Sequence, residues 1–311
     1  MPLAVQFSEY GTPDVLRVVD VPPLTAGPGQ VRLAVRAAGV NPIDWKILRG
    51  FMRQVMPVEF PGGLGSDVAG VVDQAGEGVT ALNVGDEVLG ASLTPSFAQS
   101  ALADPAALVA KPPSVPWAIA ATLSGSGITA WEVLGKLRIS RGETLLVHGA
   151  AGGVGTFAVQ LAVARGARVI GTASERNHEQ LRSYGAEPVT YGEGLIDRVR
   201  AISPRGVDAV LDTSGRGEIP DSVELAGGPA RVLSLVAFDA AGTGIQVHMT
   251  EPGAGRHQAL ADILALMEEG RLQMPIAGTY PLDEVAAALA VSESGHLGGK
   301  LVVQPTRHGP L

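Results

Sequence analysis

The chain contains no cysteine. Disulfides, thiolate nucleophiles and every zinc site built on thiolates are therefore excluded. It has no apolar stretch near the ~18 to 20 residues that span a bilayer. Its start, Met1-Pro2-Leu3-Ala4-Val5-Gln6-Phe7-Ser8-Glu9, has neither the basic region nor the apolar core of a signal peptide. The expectation is a soluble, cytoplasmic protein with no membrane partner. Charge is also scarce: charged residues make up 17% of the chain, against ~25% in ordinary globular chains. Lys and Arg total 23 and Asp and Glu 31, and the net charge of -8 has the wrong sign for neutralising nucleic-acid phosphates or anionic lipid. No nucleic-acid partner is expected. Lysine is limited to Lys46, Lys111, Lys136 and Lys300. The histidines, His148, His178, His248, His257, His296 and His308, show no spacing that aims two of them at one metal from a single helix or turn, so no metal site is expected.

What is present is bulk. The 311 residues, 46% of them hydrophobic, can bury large cores and are too apolar for disorder. At ~150 residues per domain they suggest two domains. The 41 glycines and 22 prolines are spread along the chain and read as turns between many short elements.

Through residue 115, short β-rich runs separated by Gly and Pro predict an antiparallel, barrel-like β domain: Gln30 to Ala37, Val68 to Gln74, Glu87 to Gly90 and Ala107 to Lys111. Over residues 116–270 continuous apolar runs alternate with helical stretches. The runs are Thr144 to His148, Arg168 to Thr172, Val207 to Leu211 and Arg231 to Val236. Strands of that kind are buried on both faces, and their alternation with helices predicts an α/β doubly wound parallel sheet. Helices are expected over Val154 to Arg165 and Glu175 to Tyr184, and one ending at Gly270, where Leu260, Ile263, Leu264 and Met267 share a face. Residues 271–311 hold a helix from Pro281 through Val291 and a strand, Lys300 to Val303. They are too few to fold alone and must dock on a neighbour.

The strongest local signal is the strand-turn-helix Leu145-Leu146-Val147-His148-Gly149-Ala150-Ala151-Gly152-Gly153-Val154-Gly155. Glycines let the backbone approach a diphosphate closely while free amides and the helix dipole face the anion, which makes Gly152, Gly153 and Val154 candidate cofactor ligands. Ala150 stands where the generic fingerprint has its first glycine. At the end of the second strand an acid would hold the ribose hydroxyls of NAD, but here Ser174 occupies or adjoins that position, with Arg176 two residues on. A hydroxyl and a guanidinium suit a 2′-phosphate, so NADPH is the expected cofactor. Glu175 leaves NADH open through a one-residue shift in register, and Arg176 as a solvated helix residue is the other alternative.

Several segments, taken in order, resemble the zinc-free medium-chain dehydrogenases/reductases similar to quinone oxidoreductases. They are Gly39-Val40-Asn41-Pro42-Ile43-Asp44, Gly65-Ser66-Asp67-Val68-Ala69-Gly70-Val71-Val72, Gly85-Asp86-Glu87-Val88, Gly127-Ile128-Thr129-Ala130-Trp131, the Ala150 to Gly155 turn, and Gly295-His296 with Gly299-Lys300-Leu301-Val302. The resemblance implies a GroES-like β-barrel catalytic domain (1–115), a Rossmann NADPH-binding domain (116–270) and a C-terminal return to the first domain (271–311). It also implies a homodimer, and a quinone or α,β-unsaturated carbonyl bound in a cleft between the domains. Zinc-dependent relatives carry Cys and Gly-His-Glu where this chain has Asn41 and Gly65-Ser66-Asp67, and an amide and a hydroxyl do not replace those ligands. Without a Lewis acid, hydride delivery to an already electrophilic carbon is the implied chemistry.

The resemblance further implies roles for particular residues. Lys46 stabilises an enolate oxygen or relays a proton, the alternative being a surface lysine paired with Asp44. Asn41 orients a carbonyl or the nicotinamide ribose, the alternative being a turn residue before proline. Thr129 lies near the nicotinamide and diphosphate, and Tyr191 flanks the adenine or its phosphate. Thr213, Leu235 and Val236 lie at the carboxyl edge, where a doubly wound sheet binds its cofactor, the alternatives being turn chemistry and core packing, and Lys300 is a further cofactor candidate that otherwise caps the sheet. Rival expectations are an enoyl-thioester reductase and a non-catalytic NADPH-binding sensor or structural protein.

Overall fold

The computed structural model describes residues 1–216, 218–240, 242–249, 255–295 and 297–305; His296, His308 and part of the segment 238–255 lie outside these. In chain order the strands are β1 (Leu3–Gln6), β2 (Arg17–Asp20), β3 (Val31–Val40), β4 (Asp67–Ala75), β5 (Glu87–Ala91), β6 (Ser100–Ala103), β7 (Leu108–Ala110), β8 (Thr144–His148), β9 (Arg168–Thr172), β10 (Ala186–Val189), β11 (Ala209–Asp212), β12 (Val232–Ser234), β13 (Gln246–Val247), β14 (Ile276–Pro281) and β15 (Lys300–Gln304). The α-helices are α1 (Pro42–Leu48), α2 (Trp117–Ala120), α3 (Ile128–Lys136), α4 (Gly153–Ala164), α5 (His178–Ser183), α6 (Leu195–Ile202), α7 (Ile219–Leu225), α8 (Arg256–Glu268) and α9 (Val285–Ser294). The chain divides into unit 1 (Met1–Ser126, Gly255–Leu264, Pro275–Leu311) and unit 2 (Gly127–Ala254, Ala265–Met274). The first division falls at 126/127, later than the 115/116 boundary read from the texture of the sequence.

Unit 1 is built on a sheet of order β14-β15-β3-β4-β5-β7. Its strands pair antiparallel except β14 with β15. The long β3 alternates buried Val31, Leu33 and Val35 with half-exposed Arg32, Ala34 and Arg36, then is buried throughout from Ala37 to Val40. One edge of β3 is shared by two partners: β6 covers Val31 to Ala34 and β15 covers Ala38 to Val40. Leu301 and Val303 of β15 and Val285, Ala288 and Leu289 of α9 enter the same core as β3, so the C-terminal return completes unit 1.

Unit 2 is a parallel sheet of order β10-β9-β8-β11-β12-β13, the doubly wound arrangement whose order reverses beside β8. β8 and β9 have the bounds expected from their apolar runs. β11 runs one residue further than expected because Asp212 is buried with its carboxylate satisfied, accepting from the Ser214 and Gly215 amides and from the Ser234 hydroxyl. β12 stops at Ser234, short of the expected Val236, because the Ser234 hydroxyl accepts from the Val236 and Ala237 amides and turns the chain out of the strand.

Candidate active site

In unit 2, β8 runs into Gly149, whose φ of +70° is reached by turning left-handed, and α4 begins four residues later with Gly152 as N-cap. A Cβ on Gly155 would collide with the Gly149 carbonyl oxygen, so only glycine lets α4 pack this closely on the turn. Thr156 N donates to Gly152 O in the helix ladder, and the amides of Gly153 and Val154 in the preceding turn have no intrahelical acceptor. The turn thus fits a diphosphate, with close backbone approach, free amide donors and the positive end of a helix. Thr213 fastens it from the neighbouring strand by donating its hydroxyl to His148 O at 2.8 Å. His148 itself is a core residue, its Nε2 3.0 Å from Ser222 Oγ, and burial pushes its pKa down.

Beyond β9 and β10, Ser174 Oγ lies 3.3 Å from Tyr191 Oη, which brings together two of the expected cofactor ligands. Arg216, in the loop after β11, places its guanidinium carbon 4.7 Å from the centroid of the Tyr191 ring. Arg176 is exposed on the short helical turn that follows Ser174. Two hydroxyls with a guanidinium seated on the Tyr191 ring fit a phosphate monoester. Thr129 is on α3, Leu235 donates its amide to Asp212 O, and Val236 follows it, both half-buried at the carboxyl edge of the sheet.

Unit 1 holds a separate buried polar cluster. The strand register sets Asp67 opposite Gly39, and a Cβ on Gly39 would lie 3.2 Å from Asp67 Oδ2. Asn41 caps α1, with Pro42 at its first position, where the missing N–H costs nothing. Its backbone amide donates to Asp44 Oδ2 at 2.7 Å, and Gly65 N donates to Asp44 Oδ1 at 3.2 Å. Its side-chain Nδ2 donates to Asp67 Oδ2 at 2.9 Å, while its Oδ1 accepts from Lys300 Nζ at 2.5 Å. Lys300 Nζ also donates to Val40 O at 2.7 Å. Asp44, Asp67 and Lys300 are 2%, 2% and 4% exposed, so desolvation governs their titration. Burial pushes the Asp44 carboxyl up to about 7, raises that of Asp67 and lowers the Lys300 ammonium.

Asn41 is therefore an oriented amide rather than a plain turn residue. Lys300 sits in this unit 1 cluster, and Asp67 and Lys300 are the partners that the sequence did not pair with Asn41. The signal for Asp67 was present in Gly65-Ser66-Asp67, but it was read only for lost metal ligands. Lys46 does not pair with Asp44, whose carboxylate is turned to the two backbone amides. Its half-buried ammonium lies 5.7 Å from the Trp45 ring centroid, and burial lowers its pKa. Among the described residues no group of three or more His, Cys, Asp and Glu side chains is arranged to hold a metal ion. No described helix is long and apolar enough to cross a membrane.

Residues 27–109 match the alcohol dehydrogenase GroES-like domain family and residues 183–303 the zinc-binding dehydrogenase family. The chain is 32% identical to a quinone oxidoreductase of Pseudomonas aeruginosa over 97% of its own length and 99% of that protein. Among solved structures it is similar to the quinone oxidoreductase of Coxiella burnetii, with a TM-score of 0.86, 31% identity and coverage of 98% and 99% of the two chains. It is likewise similar to Escherichia coli quinone oxidoreductase complexed with NADPH, with a TM-score of 0.86, 26% identity and coverage of 97% and 100%.

Proposed function

The chain belongs to the quinone oxidoreductase family of the medium-chain dehydrogenases/reductases, and from that membership we propose that it transfers hydride from NADPH to a quinone or an α,β-unsaturated carbonyl without zinc. The observation that carries the cofactor half is the unit 2 edge, where the glycine turn ending in the Gly153 and Val154 amides accompanies the hydroxyl pair of Ser174 and Tyr191. NADPH supplies the hydride. Gly152, Gly153 and Val154 would bind its diphosphate through backbone amides, Ser174, Tyr191 and Arg176 would hold its 2′-phosphate, and Thr129, Thr213, Leu235 and Val236 would line its nicotinamide half.

Lys46 would offer its half-buried ammonium to the oxygen that becomes anionic on hydride transfer. With Asn41 Oδ1 turned to Lys300 and one Nδ2 hydrogen to Asp67, the second Nδ2 hydrogen remains to donate to a substrate carbonyl or ribose hydroxyl. Asp44 holds Asn41 from the backbone side, and Lys300 acts through Asn41. The zinc chemistry of thiolate-bearing relatives is closed to a chain without cysteine. A homodimer is part of this reading and is checked by light scattering.

The test is loss of reduced-nicotinamide absorbance with quinones, enones and enoyl thioesters, each with and without chelator. Turnover of quinones or enones, unchanged by chelator, is expected. Turnover confined to enoyl thioesters, or binding of NADPH with no acceptor reduced, overturns the substrate assignment.

A further inference from the structure

The loops after β9, β10 and β11 all leave the carboxyl edge of the unit 2 sheet, but they are not neighbours there. In the order β10-β9-β8-β11, two strands separate β11 from β10. At ~4.8 Å per strand that is a gap of roughly 14 Å. Arg216 follows β11 and Tyr191 follows β10, yet the guanidinium rests on the ring at 4.7 Å. The β11 loop and the long Arg216 and Tyr191 side chains together therefore bridge the carboxyl ends of β8 and β9, the edge from which the glycine turn and Ser174 arise.

The loop is shaped to do so. Ser214 Oγ lies 3.0 Å from Asp212 Oδ1 and 2.6 Å from Glu218 Oε2, with a single hydrogen to donate between them, and it accepts from Arg216 N at 3.3 Å. Both acids of the loop are thereby turned toward its own backbone and hydroxyl, while Arg216 is carried across to the aromatic ring. Tyr191 in turn is held by Ser174. Three residues from three separate loops, a hydroxyl, a phenol and a guanidinium, converge at the end of the nucleotide crevice away from β12.

We propose that Arg216 is a cofactor-specificity residue, which closes over the adenosine end of the crevice and binds the ribose 2′-phosphate together with Ser174 and Tyr191. The inference rests on the NADPH reading above. A cation seated on an aromatic face is positioned before the ligand arrives, so less side-chain freedom is lost when the phosphate binds. Charge-assisted guanidinium–phosphate hydrogen bonds then favour NADPH over NADH, which offers only a hydroxyl at that place. Tyr191 has two functions here, a phenol directed to the phosphate and a ring that positions Arg216.

Equilibrium titrations of NADPH, NADH, 2′,5′-ADP and 5′-AMP test this without turnover. Arg216→Ala should weaken NADPH and 2′,5′-ADP about tenfold or more and leave NADH and 5′-AMP within about twofold, and Arg216→Lys should recover part of the loss. Tyr191→Leu should make a further Arg216→Ala change nearly silent, as expected for residues acting as a pair. Melting curves report whether each variant is folded, and Arg216→Gln serves if the alanine variant is not. Equal affinity of the unmutated protein for NADPH and NADH overturns the cofactor reading and this proposal together. Preference for NADPH that survives unchanged in folded Arg216→Ala or Arg216→Gln overturns the role of Arg216 alone.

Discussion

A half-buried ammonium can serve a reaction by binding the substrate or by stabilising charge that develops later, and kinetics at Lys46 separate the two. Lys46→Met should lower turnover ~100-fold or more, comparable to losing one oxyanion donor, with NADPH affinity nearly unchanged. Lys46→Arg should recover only part, because a planar fork does not occupy the place of a compact ammonium. Single-turnover hydride transfer from deuterated NADPH is the measurement, and an unmutated rate in Lys46→Met removes the residue from the mechanism. Asp44 makes a different prediction, of stability. Its carboxyl titrates near 3.8 when exposed and about 7 when buried, so the folded chain keeps a proton that the unfolded chain releases. The stability linked to this group is full below 3.8 and is lost as pH rises through about 7. Asp44→Asn should flatten that fall, read as melting temperature against pH, and a slope as steep as in the unmutated chain counts against the burial argument. These residues differ in how far the sequence revealed them. The place of Ser174 in the chain was legible because it follows a strand whose end was clear. Lys300 meets Asn41 across 259 positions, and Arg216 meets Tyr191 across non-adjacent strands, so nothing local announces either pairing.

Among the elements, α4 and the turn before it make the sharpest case, because neighbouring glycines there do different things. Gly155→Ala should destabilise by about 1–3 kcal/mol or more, since its Cβ meets the fixed Gly149 carbonyl rather than a side chain able to move. Gly153→Val should instead keep the fold and lose NADPH, because a branched side chain would enter the space that the turn offers a diphosphate. Melting curves and NADPH titration on both variants check the division, and the reverse pattern would place the nucleotide elsewhere. The ease of reading elements from sequence followed burial. β8 and β9 are buried along most of their length and read as unbroken apolar runs. β2, Arg17–Asp20, is largely exposed, and the short β6, Ser100–Ala103, alternates without a strong apolar face, so both passed unrecognised. The helix α1 was missed because Asn41-Pro42 also spells a turn, and what makes it a helix start is Asp44 reaching back to the Asn41 amide.

At the scale of the whole molecule, unit 1 is assembled from segments far apart in sequence, and its sheet is completed by β14 and β15, more than 160 positions after β7. β15 pairs with β3 at Ala38 to Val40 and carries Lys300 into the cluster with Asn41 and Asp67. A chain ending at Met274 would lose β14, β15 and α9, uncover the apolar face that Val285, Leu289, Leu301 and Val303 bury, and leave the Ala38 to Val40 stretch of the β3 edge unpaired. It would also leave Asp44 and Asp67 buried without the ammonium that opposes their mutual repulsion, a situation that costs several kcal/mol when one member of a buried charge cluster is removed. Unit 2 keeps its parallel sheet and the glycine turn in such a chain, since β8 to β13 and Ala265–Met274 all precede the cut. The expected outcome is protease-sensitive unit 1 with aggregation through the bared β3 edge, beside a protease-resistant fragment that still binds NADPH. Limited proteolysis with mass spectrometry and NADPH titration of the resistant fragment reads both halves at once. A truncated chain whose residues 1–126 resist the protease would show that the β3 to β7 sheet closes without its C-terminal strand, and that the buried acids find another counter-charge than Lys300.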